Sequence, residues 1–380
     1  MARLKILAFN AGSSSFKASL YELDTVADAG LAPVGLVWQA RADSPNKVAE
    51  LVSALWSGAD KLISGPADID VIGHRIVFGG PSTFATTRLD TQLCAQLTRM
   101  EEYAPAHNEA ALTAIDEAIR LFGSEVPQLA VFDTEFHQSM PAPAFTYAGP
   151  LAWVEQGIRR YGFHGLSHRY TSHRSARLMT GENDDTRIVT CHLGGGCSLA
   201  AVRNGKSVDT TMGFTPLDGI PMARRSGSLD PGILLHLLRH GGQTLDSLDR
   251  MLNHDSGLAG LSGSNGDMRK ILSAVDARDT RSILALDVFV HHVRQGIASM
   301  AASMGGVDAL VFTGGVGENS PRVRAEVCNG LSFLGICLDE SLNSSANGEE
   351  RISPVDSSLP VFVIPAEENW IIAQECLRSR

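Results

Sequence analysis

Short apolar runs of strand length alternate along the chain with longer stretches in which apolar residues recur at helical spacing. Residues 4–9 form a mostly apolar run, 10–15 are small or polar, and 16–21 alternate apolar and polar, which predicts a β-hairpin. Residues 22–50 are polar and weakly patterned and read as strand and loop. Residues 70–81 combine a buried strand with a Gly-Gly-Pro turn. Asn108 is placed to cap a helix carrying Ala111, Ile115, Ala118, Ile119 and Phe122 on one stripe, with Gly123 ending it. A strand over 128–132 follows and runs into Asp133. Further on, Asp230 and Pro231 start a helix through Leu234, Leu237 and Leu238 that stops at Gly241. A longer helix with apolar positions 286, 290, 293, 297, 300 and 304 ends at Gly305-Gly306, and that stripe reads as core.

The opening design recurs about halfway along. Residues 187–193 are a strand, Gly194, Gly195, Gly196, Cys197 and Ser198 make a Gly-rich turn, and 199–203 return. Two hairpins in matching positions point to two related halves, each presenting a phosphate-holding turn. The turn at 10–15, with Lys17 just beyond it, is equally compatible with an ordinary Ser-rich hairpin when taken alone. Pro141, Pro143 and Pro150 make the clearest break in composition, so the domains are expected at 1–150, joined by a C-terminal helix of about 369–380, and at 151–368.

Composition narrows the class. The 380 residues suffice for two domains, and the 44% that are hydrophobic lie in short runs, none near the ~20 residues of a membrane span. A net charge of −10 argues against nucleic acid or a lipid surface as partner, so anionic ligands must be held locally. Six scattered cysteines without a Cys-x-x-Cys pair suit reduced thiols, and a cytoplasmic protein is expected.

Candidate chemistry clusters at strand ends. Arg75 lies inside an apolar strand beside His74, where its charge needs either a structural ion pair or a ligand anion. Asp133, with Thr134 and His137 beside it, stands at the end of a strand, where open α/β sheets gather ligands, although a loop-capping role is as compatible. His164 and His168 are four apart but lack the acidic companion of a helical zinc motif. Arg224 and Arg225 lie in a Gly- and Pro-rich loop that suits either a solvated surface or a bidentate anion clamp. Residues 314–319 form a Gly-rich turn after a buried strand, with Ser320-Pro321 starting a helix; the spacing is neither a Rossmann nor a Walker pattern.

In order along the chain, Asn10-Ala-Gly-Ser-Ser-Ser, His74-Arg75, Phe132-Asp133-Thr134, Tyr161-Gly-Phe-His164-Gly, His192-Leu-Gly-Gly-Gly, Arg225-Ser-Gly and Thr313-Gly-Gly-Val-Gly-Glu-Asn closely resemble the acetate/propionate kinase family. The resemblance implies a duplicated α/β fold of the actin/hexokinase/Hsp70 (ribonuclease H-like) type, two domains around a nucleotide cleft. It also implies a homodimer and Mg²⁺- or Mn²⁺-dependent phosphoryl transfer between ATP and acetate or another short-chain carboxylate.

A carboxylic acid is already ionised at neutral pH, so no base is needed, and Asp133 would orient instead of deprotonating. Arg75 and Arg225 would neutralise carboxylate and phosphoryl group, with His164 donating to the equatorial oxygens. The resemblance further places Asn10 and Glu368 at the metal, and Ser13, Ser15, Lys17, His192, Gly194, Gly195 and Gly196 at phosphate. Asp267, Met268, Arg269, Gly315, Val316, Gly317, Glu318 and Asn319 would lie at adenosine, and Val77, Ala106, Phe163 and Pro216 around the acyl tail.

Departures from the family pattern are Gly195, where an Asn is usual, Ala106, where Leu is common, and the 366–370 run, which leaves the register of Glu368 open. Ala106 would enlarge the acyl pocket and make propionate a rival substrate. A non-metabolic ATPase of the same fold would need neither arginine.

Overall fold

The computed structural model describes residues 3–12, 15–24, 32–57, 61–81, 85–100, 105–180 and 185–379. It divides into two compact units: 1–138, 164–170 and 367–380 make the first, and 139–163 with 171–366 the second. The division differs from the one expected from composition. The proline-rich segment 139–150 belongs to the second unit instead of ending the first, 164–170 returns to the first, and Glu367 and Glu368 go with the C-terminal helix.

The sheet of the first unit contains β1 (Leu4–Gly12), β2 (Ser15–Leu23), β3 (Leu36–Ala42), β4 (Val71–Ile76), β5 (Thr87–Arg88) and β6 (Gln128–Phe132) in the order β3-β2-β1-β4-β6-β5. The second unit contains β7 (Arg187–Leu193), β8 (Cys197–Arg203), β9 (Lys206–Thr210), β10 (Ala309–Thr313), β11 (Glu350–Arg351) and β12 (Val361–Val363), ordered β11-β12-β10-β7-β8-β9. In both, an antiparallel three-strand meander is followed by two strands parallel to its first, and a two-residue antiparallel strand closes the edge. The expected duplication is therefore visible strand for strand.

The central strands read as continuous apolar runs because helices cover both faces. On β1, Leu7, Phe9 and Ala11 join a core with Val48, Val52 and Leu55 of the helix Val48–Ser57 and Ala110, Ala114 and Ala118 of the helix Pro105–Phe122. The opposite face takes the C-terminal helix Glu368–Arg378, whose Trp370, Ile371 and Ile372 are fully buried. In the second unit the helix Thr280–Met304 packs on β7, β8 and β9, and all six predicted stripe positions are buried. Gly305 ends it in the left-handed region, φ 71°.

Several local expectations are corrected. Residues 22–50, expected as strand and loop, do contain a strand, β3, but also the beginning of a helix at Val48. The helix expected to be capped by Asn108 begins at Pro105; Asn108 lies within it and donates from Nδ2 to the Phe78 carbonyl, 3.0 Å. Ile119, expected on the buried stripe, is 45% exposed. Residues 314–319 are a short helix instead of an open turn. The helix Pro231–His240 forms as expected, Asp230 Oδ1 accepting from the Gly232 amide at 2.8 Å, but it buries none of its residues.

Gly73 in β4 shows how closely the layers meet. A Cβ built there collides with Cys376 Sγ and Ile372 Cγ2 of the C-terminal helix. Gly73→Ala should therefore destabilise the fold by about 1–3 kcal/mol through overpacking and lower Tm by several degrees in thermal unfolding. A wild-type Tm in that variant would show that the helix yields freely.

Candidate active site

In the first unit, four side chains meet near the carboxyl ends of the parallel strands. Arg75 from β4 holds Asp133, the residue after β6, by a bidentate fork: Nε to Oδ1 at 2.9 Å and Nη2 to Oδ2 at 2.5 Å. Its third nitrogen, Nη1, donates to Asn10 Oδ1 at 3.0 Å and to Glu368 Oε2 at 3.4 Å. Asn10 Nδ2 completes the ring by donating to Glu368 Oε2, 2.7 Å. All four are residues that the sequence marks as candidates, and the fold brings them together. Glu368 opens the C-terminal helix, which fixes its register against Asn10 and Arg75.

Asp133 is 1% exposed. Burial pushes its carboxyl above the usual carboxylate range, against the pull of the Arg75 guanidinium and a backbone N–H of His164. Burial opposes the charge on Arg75, but Asp133 and Glu368 outweigh it and hold the guanidinium firmly protonated. With both oxygens engaged by Arg75, Asp133 is suited to orient the arginine. His164 adopts φ 57°, a left-handed conformation uncommon for a side-chain-bearing residue, immediately before Gly165. The Gly165 amide donates to the Asp133 carbonyl at 2.9 Å, and a Cβ at 165 would strike that carbonyl.

Lys17 lies opposite Asn10 on β2 and is exposed. Ser13 falls outside the described residues; for Ser15 and Ala106 only the backbone is described. Val77 is buried in the first unit.

The second unit presents backbone in place of charge. His192, the last residue but one of β7, is in register with Thr313 of β10. The turn after it is closed by the Gly194 amide donating to the Gly196 carbonyl, 3.0 Å, and Gly195 offers no side chain at all: a Cβ there meets nothing within 4 Å. Gly315 is equally open, and a Cβ on Gly194 would stand 3.7 Å from the Gly315 nitrogen, so the two glycine segments adjoin. Gly314 needs φ 77°, which starts the short helix Gly314–Asn319 against Leu193.

Glu318, expected at adenosine, turns inward: Oε1 accepts from the amides of Gly314, 2.9 Å, and Ala366, 3.1 Å. Asn319 closes its own turn, Nδ2 donating to the Gly315 carbonyl at 3.0 Å. Val316 is half-buried and Gly317 buried. Asp267 caps the helix Met268–Asp276 and pairs with Arg269, Nη2 to Oδ2 2.6 Å, whereas Met268 points into the core.

Arg225 is bonded to the Pro216 carbonyl, Nη1 to O 2.7 Å, in a loop bent by Gly219 and Gly227. Among the described residues no carboxylate pairs with it, and burial lowers its pKa. Phe163 and Pro216 are buried in the same unit.

One residue escapes the sequence patterns. Arg324 is fully buried, and its Nη1 donates to the carbonyls of Gly317, 2.9 Å, and Glu318, 2.8 Å, while Nε and Nη2 bond Asn343. It fixes the end of the helix that carries Gly315. An arginine on an otherwise apolar helical face, with Val323, Val327 and Cys328 beside it, is the available signal.

A model of the acetokinase family matches residues 5–374. The chain belongs to that family. Among its acetokinase relatives, the acetate kinases of Gloeobacter violaceus and Trichormus variabilis are each 44% identical over 98% of both chains. The crystal structure of Porphyromonas gingivalis acetate kinase superposes with a TM-score of 0.84 at 35% identity, covering 99% of each chain. A propionate kinase from Francisella tularensis gives 0.84 at 34% with the same coverage. The superposition over nearly the whole of each chain takes in both sheets.

His74, next to Arg75, carries a pH consequence. Its Nε2 meets Gln128 Oε1 at 2.7 Å, while Nδ1 is buried without a partner. Burial lowers its pKa to about 4, the Gln128 bond only partly opposing this. Because the folded value lies below the ordinary 6.5, stability is complete above that pH and is lost as pH falls through 6.5 towards 4. The loss from this group is on the order of 3 kcal/mol. Chemical unfolding between pH 7 and 4 should show it, and His74→Gln should flatten the slope; an unchanged slope would remove His74 as the cause.

Proposed function

We propose that the chain is a working acetate kinase, transferring phosphoryl reversibly between ATP and acetate by direct in-line displacement. The observation that carries this is the 44% identity over 98% of both chains to acetate kinases. The acetokinase family uses ATP. Acetate arrives ionised, so the chemistry reduces to neutralising and aligning two anions, and no side chain has to act as a base.

Each group has a part that follows from its surroundings. Arg75, locked by Asp133 and Asn10, offers a rigid, permanently charged donor to carboxylate and transferring phosphoryl oxygens. Arg225, lacking a carboxylate, gains its partner when an anion binds. His164 is the donor to phosphoryl oxygens. The side-chain-free backbone of Gly194, Gly195, Gly196 and Gly315 holds nucleotide phosphates, with Ser13, Ser15 and Lys17 lining the other hairpin.

Asn10 and Glu368 supply only oxygen donors, the set that suits Mg²⁺, and a dedicated cage of three acidic ligands, which the described residues do not contain, is not what Mg²⁺ requires. When bound there, Mg²⁺ would neutralise phosphate charge. Propionate kinase is the second reading, supported by the Francisella structure, but that likeness stands at 34% against 44%. The free cysteines and the lack, among the described residues, of any helix long and apolar enough to cross a membrane fit work in the cytoplasm.

The oligomer is inferred from the helix Pro231–His240. It buries none of its residues, yet Leu235 is 50% and Leu238 37% exposed, three apart on one face. Such an apolar face suits a second copy of the chain. Leu235→Asp with Leu238→Asp should yield monomers in sedimentation; a monomeric wild type at micromolar concentration would overturn the inference.

Acyl-hydroxamate trapping tests the reaction. Wild type should form acyl phosphate and release ADP only with carboxylate present, which an ATPase of another class would not do. Arg225→Ala should lower kcat/KM at least a hundredfold, from about 3 kcal/mol of lost transition-state stabilisation. Arg75→Ala should lose as much and also unfold more readily, because Asp133 is left buried and unpaired. Near-normal rates in either variant would remove its role.

A further inference from the structure

The helix Pro231–His240 carries a second feature that the phosphoryl-transfer reading does not use. His236 and His240 are one turn apart, both exposed, with ring centroids 5.4 Å apart and planes inclined by 50°. We propose that His236 and His240 form a chelate for a divalent transition cation of the Zn²⁺ or Cu²⁺ class, one ion per chain.

Residues i and i+4 of a helix stand on one face, so two imidazoles at this spacing reach a common point without backbone movement. The ring geometry agrees. A metal–nitrogen bond of about 2.0–2.1 Å puts a ring centroid about 3.2 Å from the ion. Two such rings at a tetrahedral angle have centroids roughly 5.2 Å apart, close to the separation observed. The rings are also available. His74, His173 and His292 spend a nitrogen on Gln128, the Gly205 carbonyl and the Val288 carbonyl, whereas no hydrogen bond engages either ring of this pair among the described residues.

The donor set decides the ion. Two imidazole nitrogens favour Zn²⁺, Cu²⁺ or Ni²⁺ and give nothing to Mg²⁺, which requires oxygen, so this site does not compete for the metal of the reaction. No third His, Cys, Asp or Glu joins the pair among the described residues. Water therefore completes the coordination, and the ion is exchangeable, unlike one in a closed four-ligand site. Bound there, it would tie two turns of a helix that has no buried residue of its own to hold it.

The test uses untagged, full-length protein, EDTA-treated and dialysed, titrated calorimetrically with Cu²⁺ and separately with Zn²⁺. One site per chain is expected, with Mg²⁺ failing to displace the ion. His236→Gln and His240→Gln should each weaken the site at least tenfold, and the double variant should lose it, while the Mg²⁺-supported acetate-dependent rate stays at the wild-type level. The retained rate reports intact folding and separates this site from the phosphoryl-transfer reading, whose failure would leave the titration unaffected. Unchanged stoichiometry and affinity in the double variant, or no site in the wild type, would overturn the proposal.

Discussion

The first unit depends on one buried charge pair. Arg75 lies in a strand with helices on both faces, and Asp133 is almost fully enclosed, so each would be costly alone. Together they form two parallel hydrogen bonds, and the remaining guanidinium nitrogen is spent on Asn10 and Glu368. Such a pair is weak support for stability, since two apolar residues would be easier to bury. What it provides is a charged donor with a fixed direction. A guanidinium that must reorganise before each turnover would forfeit part of the electrostatic gain that a preset one delivers.

That arrangement constrains the sequence well beyond the four residues. Glu368 reaches the arginine only because the C-terminal helix lies directly on β4, and it can lie there only because position 73 has no side chain. Asp133 keeps its backbone course because Gly165 tolerates the close carbonyl, with His164 just before it in a left-handed conformation. The glycines at 73 and 165 are thus as much part of the site as the charges, although neither offers a functional group. In the second unit the same sheet is used differently. Its glycine segments carry no side chains, and the charged groups nearby, Glu318 and Arg324, face inward to fix the backbone that carries them. One copy of the fold presents side-chain charge at its strand ends, whereas the other presents backbone without side chains.

Much of this is legible from residues alone, for reasons that differ by element. The hairpins at 4–23 and 187–203 are readable because strand alternation and turn composition agree locally, and their repetition discloses the duplication by pattern alone. Arg75 and Asp133 stand out as charges at the ends of apolar strands. Their union is not legible, because it joins positions 58 residues apart through the pairing of β4 with β6. The unit boundaries are hidden for a related reason. Composition marks where the chain changes character, at 139–150, but a compact unit is defined by which segments pack together, and 164–170 rejoins the first unit through contacts no local pattern encodes. Glu318 and Arg324 evade a motif reading because a motif specifies residue identity, whereas their role depends on the side chain turning inward.

The helix Pro231–His240 marks where periodicity stops deciding between alternatives. Leu234, Leu237 and Leu238 satisfy the spacing of a core-facing stripe as well as the apolar positions of the helix Thr280–Met304 do, yet one helix is buried along its stripe and the other buries nothing. The apolar pattern specifies that a face must be removed from water, and leaves open whether the same chain or another copy removes it. Both helices carry Leu and Ile and both carry a pair of histidines and an arginine, His291, His292 and Arg294 in one and His236, His240 and Arg239 in the other, so composition does not separate them either. What separates them is the packing of the rest of the chain, which lays the longer helix on β7, β8 and β9 and, among the described residues, lays nothing over this one.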